Sequence, residues 1–284
     1  MIVNKFLDPK NDVAFKHVFG KEKNKDILIP FLNTVLNYEG SAQISDVKFV
    51  KTSQDPEIAS KKQSIIDVLC TDQTGRQIIV EMQVAHTDGF EERAQYYAAK
   101  AYSSQLNKGE DYSKLKEVIF IAITDYMMFP DKKACKSNHI ILDKENGDHD
   151  LKAFSFTFIE LPKFNKCLHE LETIMDKWMY FFKNAKQTTE KDLEKIIGSD
   201  DIIDRAYEEL NRFSWSEPEL NFYEQQEKRE RDSRAILKAS REEGHKEGRV
   251  EEKLAIAKNM LKLGMSFDDI SKCTGIEEQE LQNL

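Results

Sequence analysis

One run of the sequence, Val118-Ile119-Phe120-Ile121-Ala122-Ile123, contains no polar side chain. A short run so rich in β-branched residues predicts a strand buried on both faces, which is typical of sheets covered by helices on both sides. Apolar positions with helical spacing precede it and predict a helix from Phe90 to Asn107. Three other β-prone runs come earlier still, at Val47–Val50, Ser64–Cys70 and Gln77–Val84. This order of strands, helix and buried strand predicts an α/β protein.

The segments outside this region are predicted to be mostly helical. The first forty residues carry apolar side chains at three- and four-residue intervals, which predicts helix. Two further strands are predicted at His139–Leu142 and Phe154–Glu160, ahead of a helix-rich stretch that begins near Leu168. We therefore expect an α/β core over residues 1–165, a helical extension packed on it over 166–216, a charged helical linker over 217–254 and a small helical module over 255–284.

Length and composition limit the class of protein. The chain has 284 residues, of which 40% are hydrophobic, enough for one main core with an appendage. A net charge of -9 argues against a protein coated in nucleic acid, although clustered basic residues can still line one local cleft. The four cysteines show no close pair, which argues against a zinc cluster or a disulfide framework. No basic-then-apolar leader and no apolar run of about eighteen residues occur, so we expect a cytoplasmic protein without a membrane span.

Two acidic side chains lie on strands that a short turn connects. If Gln73-Thr74-Gly75 forms a three-residue connection, Asp67 lies directly across from Glu81. The same register places Ile65 across from Gln83, on the same face. Facing carboxylates repel each other, and burial favours the protonated form of one of them. The alternative is that both acids are solvated at strand ends in an ordinary hairpin. It stays open because an error of one residue in the assumed turn would move every side chain of the strand to the other face.

A bound divalent cation removes the repulsion between two facing carboxylates. Carboxylate oxygens, waters and phosphate oxygens are the ligands that Mg²⁺ prefers. Such a metal lowers the pKa of bound water, orients that water and stabilises the leaving oxygen of a phosphodiester. Hydrolysis of DNA needs these three contributions, so the hairpin is a candidate site for it.

Four ordered motifs stand between Phe6 and Thr124. They are Asn11-Asp12-Val13-Ala14-Phe15-Lys16-His17-Val18-Phe19, Ile66-Asp67-Val68, Val80-Glu81-Met82-Gln83 and the segment Arg93–Tyr97. As a set they resemble the recombination-promoting nuclease (Rpn) and transposase family, which belongs to the PD-(D/E)XK nuclease superfamily. The resemblance implies a restriction-endonuclease-like core, in which helices flank a mixed central sheet, followed by a helical C-terminal extension.

The resemblance also implies which residues act. Asp67 and Glu81 would be the catalytic metal ligands for Mg²⁺, with Mn²⁺ as a substitute. Asp12 would supply a further ligand, directly or through water, although an acid at a helix N-terminus is equally favoured by the helix dipole. Gln83, the third predicted catalytic residue, stands where the superfamily signature has lysine, and an amide can position water but adds no charge. Candidates for the missing cation are Lys16, Lys61, Lys62 and Lys100.

Basic and aromatic residues near the motifs form a predicted DNA-binding set. Arg93 and Tyr97 are one turn apart on a predicted helix and share a face, which could contact phosphate. Lys16 and Lys100 complete the set. An aromatic helix face more often belongs to a core, so that alternative stays open for the tyrosine.

The C-terminal segment Ser266–Glu278 resembles a helix-turn-helix. A recognition helix approaches phosphates, yet the stretch Ile276–Leu281 is acidic and would be repelled. We therefore expect a protein-interaction or homo-oligomerisation module there.

Together these features predict a Mg²⁺-dependent DNA endonuclease that promotes recombination or transposition. The alternative, suggested by Gln83 and the acidic balance, is a catalytically weak or inactive nuclease fold that serves as a DNA-binding or regulatory interaction protein.

Overall fold

A mixed sheet of six strands lies at the centre of the computed structural model, which describes residues 4–50, 66–198 and 200–282. The strands are β1 (Val47–Phe49), β2 (Val68–Asp72), β3 (Gln77–Gln83), β4 (Val118–Thr124), β5 (Lys136–Ile140) and β6 (Phe154–Glu160). Their order across the sheet is β1-β2-β3-β4-β6-β5. The pairs β3–β4 and β4–β6 are parallel, and the outer pairs are antiparallel.

Helices precede, interrupt and follow the sheet. They are α1 (Asp12–Phe19), α2 (Lys25–Leu36), α3 (Phe90–Ser103), α4 (Ile174–Asn184), α5 (Glu190–Ile197), α6 (Asp201–Glu209), α7 (Glu217–Lys262), α8 (Phe267–Thr274) and α9 (Glu278–Leu281). None of the described helices is long and apolar enough to cross a membrane.

Two apolar cores cover the two faces of the sheet. Alternate residues of β3 point to opposite faces of the sheet and so belong to different cores. Ile78, Val80 and Met82 pack with α1, α2 and α4 to α6. The other face of β3 includes Ile79, which packs with the buried face of α3. Every residue of β4 is buried, as the apolar run predicted. The fold is therefore the predicted α/β core with helices on both faces.

Several boundaries differ from the sequence prediction. Helix α3 ends at Ser103 rather than Asn107, and the hydroxyl of the capping residue Ser104 donates to the Ala101 carbonyl. The predicted strand at His139–Leu142 begins earlier, at Lys136, where pairing with β6 starts. The predicted strand start at Ser64 lies outside the described residues.

The connection between β2 and β3 fixes the register of the hairpin. Gly75 has a φ of 90°, a conformation that favours glycine, and its N–H donates to the Asp72 carbonyl over 3.0 Å. The Asp72 carboxylate accepts from the Arg76 backbone N–H over 2.9 Å and from Arg76 Nε over 2.8 Å. Val68 consequently pairs with Val80, which confirms the predicted register. The predicted pairing of Ile65 lies outside the described residues.

The chain divides into two compact units, with the boundary between Glu224 and Gln225. In the first unit, α4 to α6 share one apolar core with α1 and α2. The second unit holds most of α7, α8 and α9 around a small core. That core contains Ala257, Ile270, Ile276 and Leu281.

Candidate active site

The carboxylates of Asp67 and Glu81 meet at one end of the β2–β3 hairpin. Asp67 comes directly before β2, and the pairing of Val68 with Val80 places it opposite Glu81. The two carboxyl groups lie close enough together for Asp67 to raise the pKa of Glu81 through its charge and through hydrogen bonding. The Met82 backbone N–H donates to Asp67 Oδ2 over 3.0 Å and so holds one acid to the strand that carries the other. Only 8% of the Asp67 side chain and 6% of Glu81 are exposed.

This contact changes the acidity of Glu81. Burial raises the pKa of Glu81 well above its ordinary value, and the charge of Asp67 together with hydrogen bonding raises it further. The positive charges of Arg93 and Lys16 act in the opposite direction but do not overcome burial. Without a cation beside it, Glu81 therefore holds its proton to a higher pH than an isolated glutamic acid does.

The donor set fits a divalent cation. Glu81 Oε1 is buried and has no hydrogen-bond partner among the described residues, so an acceptor oxygen beside Asp67 is left unsatisfied. An oxygen-rich pair with one unsatisfied acceptor suits Mg²⁺ or Mn²⁺, which would replace the proton that Glu81 otherwise holds. Asp67 and Glu81 are the residues that would hold it.

Helix α1 brings Asp12 and Lys16 to the same end of the sheet. Lys16 Nζ lies 3.0 Å from Asp67 Oδ1. Burial raises the pKa of Asp12, the charge of Asp67 raises it further, and Lys16 lowers it. Within the described ranges no three acidic, His or Cys side chains converge with metal-ligand geometry. Asp12 is thus within electrostatic range of the pair but does not complete a cage of three direct ligands.

Gln83 and Arg93 contact each other beside Glu81. Arg93 Nη2 donates to Gln83 Oε1 over 2.6 Å, and Gln83 Nε2 donates to the Ala85 carbonyl over 2.8 Å. The Arg93 guanidinium also lies over the Phe90 ring, 4.8 Å from its centroid. The predicted water-positioning amide is therefore engaged at both ends, and the predicted phosphate-binding arginine is half-buried within the site.

The remaining predicted DNA-binding residues lie along α3. Burial raises the pKa of Tyr97, and the charges of Glu81 and Asp67 raise it further, so the phenol lies within electrostatic range of the pair. Lys100 is half-buried one turn further along the helix. Lys61 and Lys62, considered as sources of a cation, lie outside the described residues.

Tyr126 is a polar residue near this edge that the sequence did not single out. The Tyr126 hydroxyl is buried without a hydrogen-bond partner among the described residues, and burial raises its pKa to about 12. Its ring contacts His86, with centroids 5.0 Å apart. Tyr126 follows the carboxyl end of β4, and sites of α/β proteins lie at the carboxyl ends of parallel strands. This rule could have identified Tyr126 from the sequence, because the residue comes shortly after a predicted buried strand.

Comparison with known proteins agrees with this architecture. A mixed sheet with helices on both faces and a helical extension is consistent with a restriction-endonuclease-like nuclease core. Residues 9–240 match the family model described as PD-(D/E)XK nuclease family transposase. The chain belongs to this family, which confirms the resemblance seen in the sequence motifs. Searches of curated proteins and of solved structures found no match.

The C-terminal segment matches a second family model. Residues 250–284 match the C-terminal HTH domain of the Rpn/YhgA-like nuclease family. The helix-turn-helix resemblance is thus confirmed, and such a domain favours DNA as a partner. This differs from the protein-interaction role that we preferred because of the acidic stretch. A homo-oligomer or protein partner stays a prediction.

Proposed function

We propose that this chain is a metal-dependent endonuclease that hydrolyses phosphodiester bonds of DNA with Mg²⁺ or Mn²⁺ and promotes recombination or transposition. The observation that carries the proposal is the buried contact between Asp67 and Glu81, with Glu81 Oε1 left unsatisfied. Membership of a nuclease family supports the same chemistry. A DNA substrate also agrees with the predicted cytoplasmic location.

The protein residues prepare the site in three ways. Asp67 and Glu81 would hold the cation, which when bound makes water a better nucleophile and stabilises the leaving oxygen. The Met82 N–H fixes the Asp67 carboxylate, so the ligand is oriented before the cation arrives. Asp12 would act on the cation through a water molecule.

Positive and aromatic side chains around the pair would bind the DNA backbone. Lys16 is 38% exposed at its side chain and lies on one side of the pair, while Arg93, Tyr97 and Lys100 follow one face of α3 on the other. Because the whole chain carries a charge of -9, these local groups must supply the attraction to phosphate. Binding should therefore weaken steeply with added salt.

A second candidate function is favoured by the contacts of Gln83. Its amide bonds to Arg93 and Ala85, so the position of the signature lysine is filled by a neutral and already engaged group. A nuclease fold that binds DNA but cuts it weakly or not at all would serve as a DNA-binding or regulatory protein. The helix-turn-helix match is compatible with this candidate also.

Nicking of supercoiled plasmid separates the two candidates. The wild type should cut the plasmid with Mg²⁺ or Mn²⁺. It should not cut it in EDTA, because the chelator removes the cation that the carboxylate pair would bind. The near-isosteric variants Asp67→Asn and Glu81→Gln should each lower the rate about 100-fold or more, a loss typical of groups that stabilise transition-state charge. The control is Glu194→Gln, an exposed acid on α5.

Calorimetric titration with Mn²⁺ tests the site without relying on cleavage. The wild type and Glu194→Gln should bind the ion, and Asp67→Asn should bind it at least about tenfold more weakly, since one charged ligand is lost. Cutting by Asp67→Asn at the wild-type rate would refute the site assignment. DNA binding without any metal-stimulated cutting would favour the second candidate.

A further inference from the structure

Gln83 is oriented by two hydrogen bonds of opposite sense. Its Nε2 donates to the Ala85 carbonyl, so its Oε1 is the end that faces Arg93 and accepts from that guanidinium. A lysine at this position has donors only and could not accept from an arginine. The residue that departs from the superfamily signature is therefore suited to hold a cation that comes from another element.

Arg93 is fixed by groups on both sides. The Gln83 carbonyl accepts one of its N–H groups at 2.6 Å, and the Phe90 ring lies against the guanidinium at 4.8 Å. A guanidinium has five N–H donors in a planar fork, so these contacts leave donors that can meet the oxygens of a phosphate. Helix α3 packs on β3 and β4 through Ala94, Ala98 and Ala101 and holds the arginine in place.

Arg93 acts on the Asp67–Glu81 pair electrostatically, from the side on which Gln83 lies. Of the positive groups that act on Glu81, Arg93 has a larger effect than Lys16. Lys16 instead contacts Asp67, 3.0 Å away, on the other side of the pair. A cation beside Asp67 competes with a metal for the same oxygen, whereas within the described part of the chain no ion pair joins Arg93 to an oxygen of Asp67 or Glu81. Arg93 is thus the better placed of the two to act together with a metal.

We propose that Gln83 is a positioning residue that holds Arg93, and that the Arg93 guanidinium contacts the phosphate being cleaved and supplies the positive charge that lysine supplies in the superfamily signature. This role rests on the proposed nuclease function. The proposed roles make Gln83 and Arg93 depend on each other. Lysine at position 83 would place two cations in contact, and loss of the arginine would leave the neutral amide alone.

Moving the positive charge from position 93 to position 83 tests whether Gln83 and Arg93 act as a pair. Arg93→Gln and Gln83→Lys should each lower the single-turnover rate of plasmid cleavage about 100-fold at saturating Mn²⁺, as for loss of one group that stabilises the developing charge. The double variant Gln83→Lys with Arg93→Gln keeps the net charge and returns lysine to the signature position. It should recover the rate to within about tenfold of the wild type. Lys195→Gln, which removes an exposed charge on α5, is the control.

Two further measurements separate this role from a purely structural one. Arg93→Gln should bind Mn²⁺ with an affinity close to that of the wild type, because Arg93 is not a metal ligand. It should also remain folded, with a melting temperature lower by no more than a few degrees from the lost contacts with Gln83 and Phe90. An Arg93→Gln variant that cuts at the wild-type rate would overturn the proposal. So would a double variant that binds Mn²⁺ and DNA normally yet cuts no faster than the slower single variant. A wild type that never cuts would instead contradict the proposed function, and this role with it.

Discussion

Replacement of Glu81 by glutamine should stabilise the metal-free protein at high pH. The folded state raises the pKa of Glu81, chiefly by burial and then by the charge of Asp67. Between the unfolded pKa near 4.5 and the higher folded value, the folded state binds more protons than the unfolded state. Stability contributed by the protonated acid is therefore present at low pH and is lost as pH rises through this window. Glutamine keeps a donor towards Asp67 and does not ionise.

The size of the effect follows from proton linkage. Each pH unit inside the window should widen the difference in unfolding free energy between Glu81→Gln and the wild type by about 1.4 kcal/mol. The difference should level off once pH exceeds the folded pKa. Added Mn²⁺ should narrow the difference by about 2.7 kcal/mol when the ion is present at 100 times its dissociation constant, because it stabilises the binding-competent wild type.

Urea unfolding in EDTA at several pH values from 4.5 to about 8.5 measures this difference. Trp178 and Trp215 are buried in the first unit and report its unfolding by fluorescence. The exposed substitution Glu194→Gln should show no such widening. A constant difference between Glu81→Gln and the wild type across the whole pH range would refute the argument that Glu81 is buried as a high-pKa acid.

Two other substitutions test features of the fold that support the site. Burial acts to raise the pKa of Glu209, but hydrogen bonds from Lys23 and Arg205 outweigh it and hold that pKa at about 2. After allowance for screening by solvent, Glu209→Gln should therefore cost about 1–2 kcal/mol at pH 7, a loss that shrinks as pH falls from 4.5 towards 2. Equal losses by urea unfolding at pH 7 and pH 3 would contradict this. Gly75→Ala should cost about 1–2 kcal/mol, because the residue adopts a φ of 90° in the β2–β3 turn. An unchanged urea midpoint would show that the turn does not need glycine.

The sequence alone determined the features that depend on near neighbours. The apolar run at Val118–Ile123 specified a strand buried on both faces, and β4 is buried throughout. The turn at Gln73-Thr74-Gly75 specified the register that sets Asp67 opposite Glu81. Strand periodicity and turn length act over a few residues, so one sequence is sufficient to read them. The ordered motifs likewise identified the family before any contact was known.

Only the tertiary structure decided which distant side chains complete the site. Lys16 on α1 meets Asp67, and Arg93 on α3 meets Gln83, although no local pattern links these positions. Such contacts depend on how two helices pack against opposite faces of one sheet, and therefore on the shape of both apolar cores. The acidity of Glu81 was decided in the same way, because it arises from burial and from a charge fourteen positions earlier in the chain.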